Sequence, residues 1–195
     1  FGVNPGIRKK CDDWAAAGYL AVAPDVFWRQ KTGVELNPDD PQEFQEGVAY
    51  MMKHDFDLGI LDVEATIHWI RRELGVPRVG LVGYCMGGRV AYLTATRTDI
   101  DASVGYYGVG IDQMLGESHA IANPLLLHVP TADGFVTPEA QAAMHAGLDG
   151  NRHVAEKERV VAGKPGVQEA SRGLRIVVPA PSKHRSGDFV HTELV

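Results

Sequence analysis

The residues best suited to covalent chemistry surround Cys85 in the pattern Gly-x-Cys-x-Gly-Gly. An apolar, strand-like run precedes this pattern and a helix-like run follows it. This order is typical of a nucleophile elbow, a sharp strand-to-helix turn with no room for side chains beside the nucleophile, which gives Gly83 and Gly87 a steric role. The amino end of the following helix favours a thiolate. The pattern therefore predicts a reactive thiol at Cys85 rather than a buried structural cysteine.

The elements that must position this thiol alternate between helix and strand. Buried-strand patterns occur at residues 19–23, 102–107 and 124–129, and Thr137-Pro138 predicts the start of a helix. Prolines and carboxylates at residues 29–56 predict a long excursion with a short helix. Three- and four-residue spacing predicts an amphipathic helix that ends at Gly75 and buries Ile60, Val63, Ile67, Ile70 and Leu74. Such alternation predicts an α/β fold with a mostly parallel sheet flanked by helices.

Composition favours a folded catalytic domain. The chain has 195 residues, of which 45% are hydrophobic and 23% charged, enough for one sizeable core. A formal net charge of −6 argues against a nucleic-acid partner, and no apolar run is long enough for a membrane span. The two cysteines, Cys11 and Cys85, form no disulfide framework or metal-binding pattern, which fits the cytoplasm.

The composition changes near residue 150. Residues 151–195 hold eight Lys or Arg and five Asp or Glu, whereas the chain as a whole is acidic. We therefore divide the chain into a core at residues 1–150 and a divergent basic C-terminal segment at residues 151–195. A disordered, solvated tail and a shifted reading frame are both open interpretations of this segment.

Several stretches occur in the order found in one known family. They are Phe1-Gly2-Val3-Asn4, Val22-Ala23-Pro24-Asp25, Arg29-Gln30, Val82-Gly83-Tyr84-Cys85-Met86-Gly87-Gly88, Val104-Gly105-Tyr106-Tyr107-Gly108 and Asp133-Gly134-Phe135-Val136. Over residues 1–150 the chain resembles the dienelactone hydrolase family. The resemblance implies an α/β-hydrolase fold whose first strands are missing from an N-terminally truncated chain. It also implies hydrolysis of an enol-lactone, typically a carboxymethylenebutenolide from aromatic-ring degradation, by a Cys-Asp-His triad.

The resemblance assigns roles that suit the chemistry of each residue. Cys85 would attack the carbonyl carbon and form a thioester acyl-enzyme, which water cleaves without a metal or organic cofactor. The backbone N–H of Met86 would belong to the oxyanion hole. Asp133 follows the strand at residues 124–129, where this fold carries the acid that orients the histidine. Arg29 would hold a substrate carboxylate through two parallel hydrogen bonds.

The histidine of the triad is a position at which this chain departs from the family pattern. The family places it in an Ala-Gly-His context after the last strand, whereas the corresponding stretch here reads Ala162-Gly163-Lys164. The later histidines are His184 and His191, and we assign His184 as the candidate base. His54, His68, His119, His128 and His145 lie outside the expected base position and are interpreted as structural or solvated.

Two other functions stay open on the sequence alone. An α/β-hydrolase homologue without its base would bind a small acid or a partner without turnover. A class I glutamine amidotransferase also combines Gly-x-Cys-x-Gly with a C-terminal His-x-Glu, as in His191-Thr192-Glu193. Turnover of an ester, binding without turnover and glutaminase activity would separate the three. The expected partner is a small-molecule lactone or ester, and a monomer is favoured.

Overall fold

Helices and strands alternate along the chain. The computed structural model describes residues 1–159 and the backbone of residues 174–179. The helices are α1 (Pro5–Ala16), α2 (Pro41–Met52), α3 (Phe56–Glu73), α4 (Met86–Arg97) and α5 (Pro138–Leu148), with a 3-10 helix at Ile111–Ala120. The strands are β1 (Tyr19–Val22), β2 (Gly80–Tyr84), β3 (Ala102–Tyr106), β4 (Leu125–Pro130), β5 (Val154–Arg159) and β6 (Leu174–Pro179).

The described strands form one sheet in the order β1, β6, β2, β3, β4, β5. Strands β2 to β5 run parallel to one another. Strand β6 lies between β1 and β2 and is antiparallel to both, so β1 and β2 run in the same direction. The predicted mostly parallel α/β sheet is therefore confirmed, with β6 as an antiparallel insertion.

Helix α3 buries the side predicted from its apolar spacing. Ile60, Val63, Ile67 and Ile70 are each no more than 3% exposed. The helix begins four residues before the first of them because Asp55 caps it, accepting hydrogen bonds from the N–H groups of the next turn. It ends where Gly75 adopts a φ of 65°. This amphipathic helix packs on α4, the helix that follows Cys85.

Helix α4 is buried along most of its length and contacts β2 and β3. Its Tyr92 side chain is fully buried, and the hydroxyl donates a hydrogen bond to the Met114 carbonyl over 3.0 Å. Burial raises the pKa of Tyr92 to about 12. A helix held on one side by the sheet and on the other by α3 and the 3-10 helix gives the Cys85 turn a fixed base.

The first residues of the chain are tied to the excursion between β1 and α2. The Asn4 side chain caps α1 by accepting from the Ile7 N–H, and its amide nitrogen donates to the Leu36 carbonyl over 2.9 Å. The Leu36 N–H donates to the Phe1 carbonyl over 2.9 Å. The excursion predicted at residues 29–56 contains the predicted short helix, α2. The hydrogen bonds to Leu36 keep Phe1 beside α2.

The sheet continues past the compositional change at residue 150. Strand β5 pairs with β4 in parallel, and β6 pairs with β1 and β2. Described residues on both sides of residue 150 therefore belong to one sheet, and the division at residue 150 stays a prediction. In the part of the chain described here, no helix has the length and apolarity needed to span a lipid bilayer.

Candidate active site

Cys85 lies on a tight turn between the end of β2 and the start of α4. Its backbone has φ 54° and ψ −116°, a conformation that residues with a Cβ rarely adopt. The Cys85 N–H donates to the Tyr106 carbonyl over 2.9 Å, and the Cys85 carbonyl accepts from the Gly88 N–H over 2.9 Å. These bonds fix the turn at both ends and place the thiol at the amino end of α4, as the elbow pattern predicts.

Close backbone contacts explain two glycines of the motif, Gly83 and Gly88. A Cβ on Gly83 would lie 1.8 Å from the Gly87 carbonyl oxygen and 2.9 Å from the Gly88 nitrogen. A Cβ on Gly88 would lie 2.7 Å from the Tyr106 carbonyl oxygen. Only glycine fits at these two positions without moving backbone, so the turn and the packing of α4 on β3 depend on them.

Met86 is the first residue of α4, where helical N–H groups have no acceptor within the helix. The predicted role of its amide in an oxyanion hole stays a prediction. The Met86 side chain packs against the small apolar cluster of Phe27, Val34 and Leu36.

Asp133 lies in the loop after β4, at the carboxyl edge of the sheet that also carries Cys85. One carboxylate oxygen accepts hydrogen bonds from the Phe135 N–H over 2.7 Å and the Val136 N–H over 3.3 Å. The side chain is half-buried. Phe135 lines the same cavity as Cys85, so the Asp133 loop reaches the site. Its role as the triad acid stays a prediction.

The predicted base, His184, lies outside the described residues. Of the histidines interpreted as structural, His128 is 4% exposed and stacks on Tyr106 with ring centroids 4.2 Å apart. His54 packs edge-on against Phe27 and Phe56, and burial lowers its pKa.

Arg29 is engaged in a two-point ion pair with Asp62. Its Nε and Nη2 donate to the two carboxylate oxygens over 2.8 and 2.7 Å. The Trp28 indole donates to the same carboxylate over 2.9 Å, and the guanidinium lies 4.6 Å from the Trp28 ring centroid. Arg29 is not among the described residues that line the Cys85 cavity. To bind a substrate carboxylate, Arg29 must therefore either break its ion pair with Asp62 or contact both carboxylates at once.

A cavity of about 670 Å³, open to solvent, adjoins Cys85. Aromatic rings supply much of its wall, namely Phe1, Phe27, Phe44, Tyr84 and Phe135. Aliphatic side chains supply most of the rest, namely Val3, Ile7, Val26, Val48 and Met51. Sequence reasoning did not predict this wall, because α2 and the first residues of the chain reach it only through long-range packing.

An aromatic stack supports the edge of the sheet beside the thiol. Tyr84, Tyr106 and His128 occupy matching positions on β2, β3 and β4. The Tyr84 and Tyr106 rings lie 4.8 Å apart and nearly parallel, and the Lys10 amine lies 5.4 Å from the Tyr84 ring centroid. These contacts fix the strand end immediately before Cys85. Among residues 1–158, no cluster of three or more His, Cys, Asp or Glu side chains could hold a metal ion.

Comparisons with known proteins give a consistent picture. The model described as "Dienelactone hydrolase family" matches residues 1–157. Carboxymethylenebutenolidase 1 of Cupriavidus pinatubonensis is 34% identical over 156 residues, covering 80% of this chain and 67% of its own length. Carboxymethylenebutenolidase of Pseudomonas putida is 32% identical over 191 residues, covering 97% of this chain and 81% of its own.

A solved structure supports the fold. The crystal structure of a protein from Klebsiella pneumoniae, assigned as a dienelactone hydrolase, superposes with a TM-score of 0.66 at 24% identity. The match covers 81% of this chain and 69% of that protein. The α/β-hydrolase fold expected from the sequence is thereby confirmed.

Proposed function

The chain belongs to the dienelactone hydrolase family and is a hydrolase of ester or lactone bonds, and from this premise we propose that Cys85 is its nucleophile. The observation that carries the proposal is the position of Cys85, on a strained turn at the amino end of α4, where it lines a mostly apolar cavity. Such a turn holds the sulfur towards a bound carbonyl group, and the helix end favours the thiolate.

The proposed reaction has two stages. The Cys85 thiolate adds to the carbonyl carbon, and the electron pair of the carbonyl double bond moves to oxygen. Collapse of this adduct breaks the carbon–oxygen bond of the ester or lactone, and the leaving oxygen takes up a proton. Water then adds to the thioester, which releases the carboxylic acid and returns the thiol.

The residues around the thiol support these steps. The Met86 N–H, at the free amino end of α4, would donate to the oxygen that becomes negative in the adduct. Asp133 would orient a histidine that moves the protons, and we propose His184 for that histidine. Removing one member of such a triad lowers the rate by several orders of magnitude, so His184→Ala should nearly abolish turnover while Cys85 still reacts with activated esters.

The role of Arg29 in binding a substrate carboxylate stays a prediction. It is tested with Arg29→Met, which should raise KM for a carboxylate-bearing lactone and leave KM for a neutral ester unchanged. An equal change for both substrates would indicate that the Asp62 ion pair only supports the structure.

We further propose that the protein acts in the cytoplasm on small molecules, as a monomer, in the breakdown of aromatic compounds.

The experiment that tests the nucleophile compares the wild-type chain with Cys85→Ala and with Cys11→Ala. Cys11 is buried in α1, so its replacement is a matched control for the loss of a thiol. A dienelactone and an activated aryl ester are the substrates, and intact-protein mass spectrometry follows the acyl-enzyme. We expect hydrolysis and acylation to survive in Cys11→Ala and to be lost in Cys85→Ala.

Two outcomes would change the conclusion. Equal hydrolysis by Cys85→Ala and wild type would rule out Cys85 as the nucleophile. Stoichiometric acylation of Cys85 without turnover would identify a homologue that retains the nucleophile and lacks a working base.

A further inference from the structure

A lysine ammonium lies against the residue that precedes Cys85. The Lys10 amine is 5.4 Å from the centroid of the Tyr84 ring, and Tyr84 lines the Cys85 cavity. Lys10 follows Ile7 by three residues on α1, and Ile7 lines the same cavity. Residues three apart lie on one side of a helix. Two contacts with the cavity wall, one through α1 and one through β2, therefore place a positive charge beside it.

The Tyr84 ring that carries this contact is itself held in place. It stacks on Tyr106 with the ring centroids 4.8 Å apart and the ring planes at 6°, and Tyr106 stacks on His128. A stacked aromatic ring offers a cation a fixed, electron-rich face. The stack therefore fixes the place of the Lys10 amine at the edge of the sheet that also carries Cys85.

Two arginines close to the same wall are each bound by a carboxylate at both oxygens. The two Nη atoms of Arg8 donate to the Glu35 oxygens over 2.7 and 2.6 Å. Arg29 donates to both oxygens of Asp62. A carboxylate in such contact cancels most of the attraction that an arginine exerts on a second anion. These two arginines are therefore weaker sources of attraction for an anion than their positions suggest.

We propose that Lys10 is a specificity-determining residue, whose positive charge draws the anionic group of a substrate into the Cys85 cavity. A lysine ammonium has three N–H donors on a flexible stem, so it can contact the Tyr84 ring and a substrate oxygen together. The favoured substrates are esters or lactones with a free carboxylate. This inference rests on the proposed function of Cys85 as nucleophile, and it names a residue that selects the charge of the substrate.

The first test measures alkylation of Cys85, which needs no turnover. Iodoacetate carries a carboxylate and iodoacetamide does not, and each loses iodide as the thiolate sulfur forms a carbon–sulfur bond. Second-order rates at Cys85 are measured by mass spectrometry on the full chain, and Cys85→Ala gives the background from Cys11. A change in the thiolate fraction alters both rates alike. The ratio of the iodoacetate rate to the iodoacetamide rate therefore reports attraction of the anion.

Lys9 provides the matched control, because it is the neighbouring residue of α1 and has the same charge. Lys10→Met should lower the rate ratio by about threefold to tenfold, the effect of one charge roughly 10 Å from an anion near a protein surface. Lys9→Met, which removes an exposed ammonium paired with Asp13, should leave the ratio unchanged. Lys10→Arg keeps the charge and should keep the ratio.

Salt separates an effect of charge from an effect of shape. At about 1 M NaCl the Debye length is about 3 Å, so the difference between Lys10→Met and wild type should largely disappear. An unchanged ratio in Lys10→Met, an equal fall in Lys9→Met, or a fall that persists at high salt would each overturn the inference. Lys10→Gln repeats the comparison if Lys10→Met does not fold.

Esters then separate this inference from the proposed function. 4-Nitrophenyl butyrate and the 4-nitrophenyl monoester of succinic acid differ mainly in a terminal carboxylate. Lys10→Met should raise KM several-fold for the succinate ester and leave KM for the butyrate unchanged, whereas equal changes for both would refute the inference. If neither ester acylates Cys85 in the wild-type chain, the proposed nucleophile fails, and the alkylation ratio still decides whether Lys10 attracts an anion.

Discussion

Cys85→Gly is expected to give a more stable protein than Cys85→Ala. Cys85 has φ 54° and ψ −116°, where any Cβ is strained. Alanine keeps the Cβ and therefore keeps the strain, whereas glycine removes it. Both variants lack the thiol, so their difference isolates the cost of holding a side chain on this turn.

The expected difference follows from three terms. A residue held in such a region stores about 1–3 kcal/mol, and glycine releases it. Glycine loses more chain entropy on folding, which costs about 0.5–1 kcal/mol. Because Cys85 is half-buried, the methyl group of alanine gains only part of the roughly 0.8 kcal/mol for a buried CH₂ group. The balance favours Cys85→Gly by about 1 kcal/mol.

Urea denaturation followed by tryptophan fluorescence measures this difference. With a slope of about 2 kcal/mol per molar urea, a difference of about 1 kcal/mol moves the midpoint by about 0.5 M. Ala142, exposed on α5, is the control site. There an alanine-to-glycine change should lower the free energy of unfolding by about 1 kcal/mol.

The two sites should therefore respond with opposite signs. At Ala142, replacing alanine by glycine should lower the free energy of unfolding. If Cys85→Gly were less stable than Cys85→Ala by that same amount, the Cys85 turn would store no strain. Cys85 would then not lie on the strained turn that its φ of 54° and ψ of −116° indicate.

Three further predictions concern other positions. Gly83→Ala should destabilise the protein by about 3 kcal/mol or more, whereas Gly116→Ala, whose Cβ would have no atom within 4 Å, should be nearly neutral; similar urea midpoints would contradict this. Burial lowers the pKa of His54 below 6.5, so its neutral form contributes stability that is present above pH 6.5 and lost as pH falls through the folded-state pKa. The melting temperature of His54→Phe should accordingly vary less than that of wild type between pH 6.5 and the lower folded-state pKa of His54. Parallel profiles of melting temperature against pH would argue against this lowered pKa. Asp101→Ala should cost about 1–2 kcal/mol, because its carboxylate accepts from Arg71 and from a backbone N–H; an unchanged melting temperature would show that these bonds add nothing net.

The elbow could be predicted because its determinants are local. Glycines at fixed distances from Cys85 reflect backbone atoms only a few residues away, and the structure shows those contacts directly at Gly83. The strands and α3 could be predicted for the same reason, since alternation and three- to four-residue spacing of apolar residues depend on short segments.

The cavity wall and the pairing of Arg29 depend on long-range packing that no local pattern encodes. Phe1 reaches the wall because Leu36 holds it there. Asp62 sits in the middle of α3 as an ordinary polar residue of the helix, and only the fold brings it to Arg29. The resemblance to the family therefore suggested that Arg29 binds a substrate carboxylate. It could not show that the Asp62 carboxylate is already paired with Arg29 in the folded chain.

The place of β6 in the sheet sets the order in which the chain can fold. Among the described strands, β1 pairs with β6 alone, and Val22 faces Ile176 in that pair. A ribosome must make the segment from β1 through Pro179 before this pairing exists, whereas β2 to β5 can assemble from neighbouring segments. Contacts between such distant segments slow folding. We therefore expect the nascent chain to complete the Cys85 turn first and to dock α1 and β1, with their side of the cavity, last.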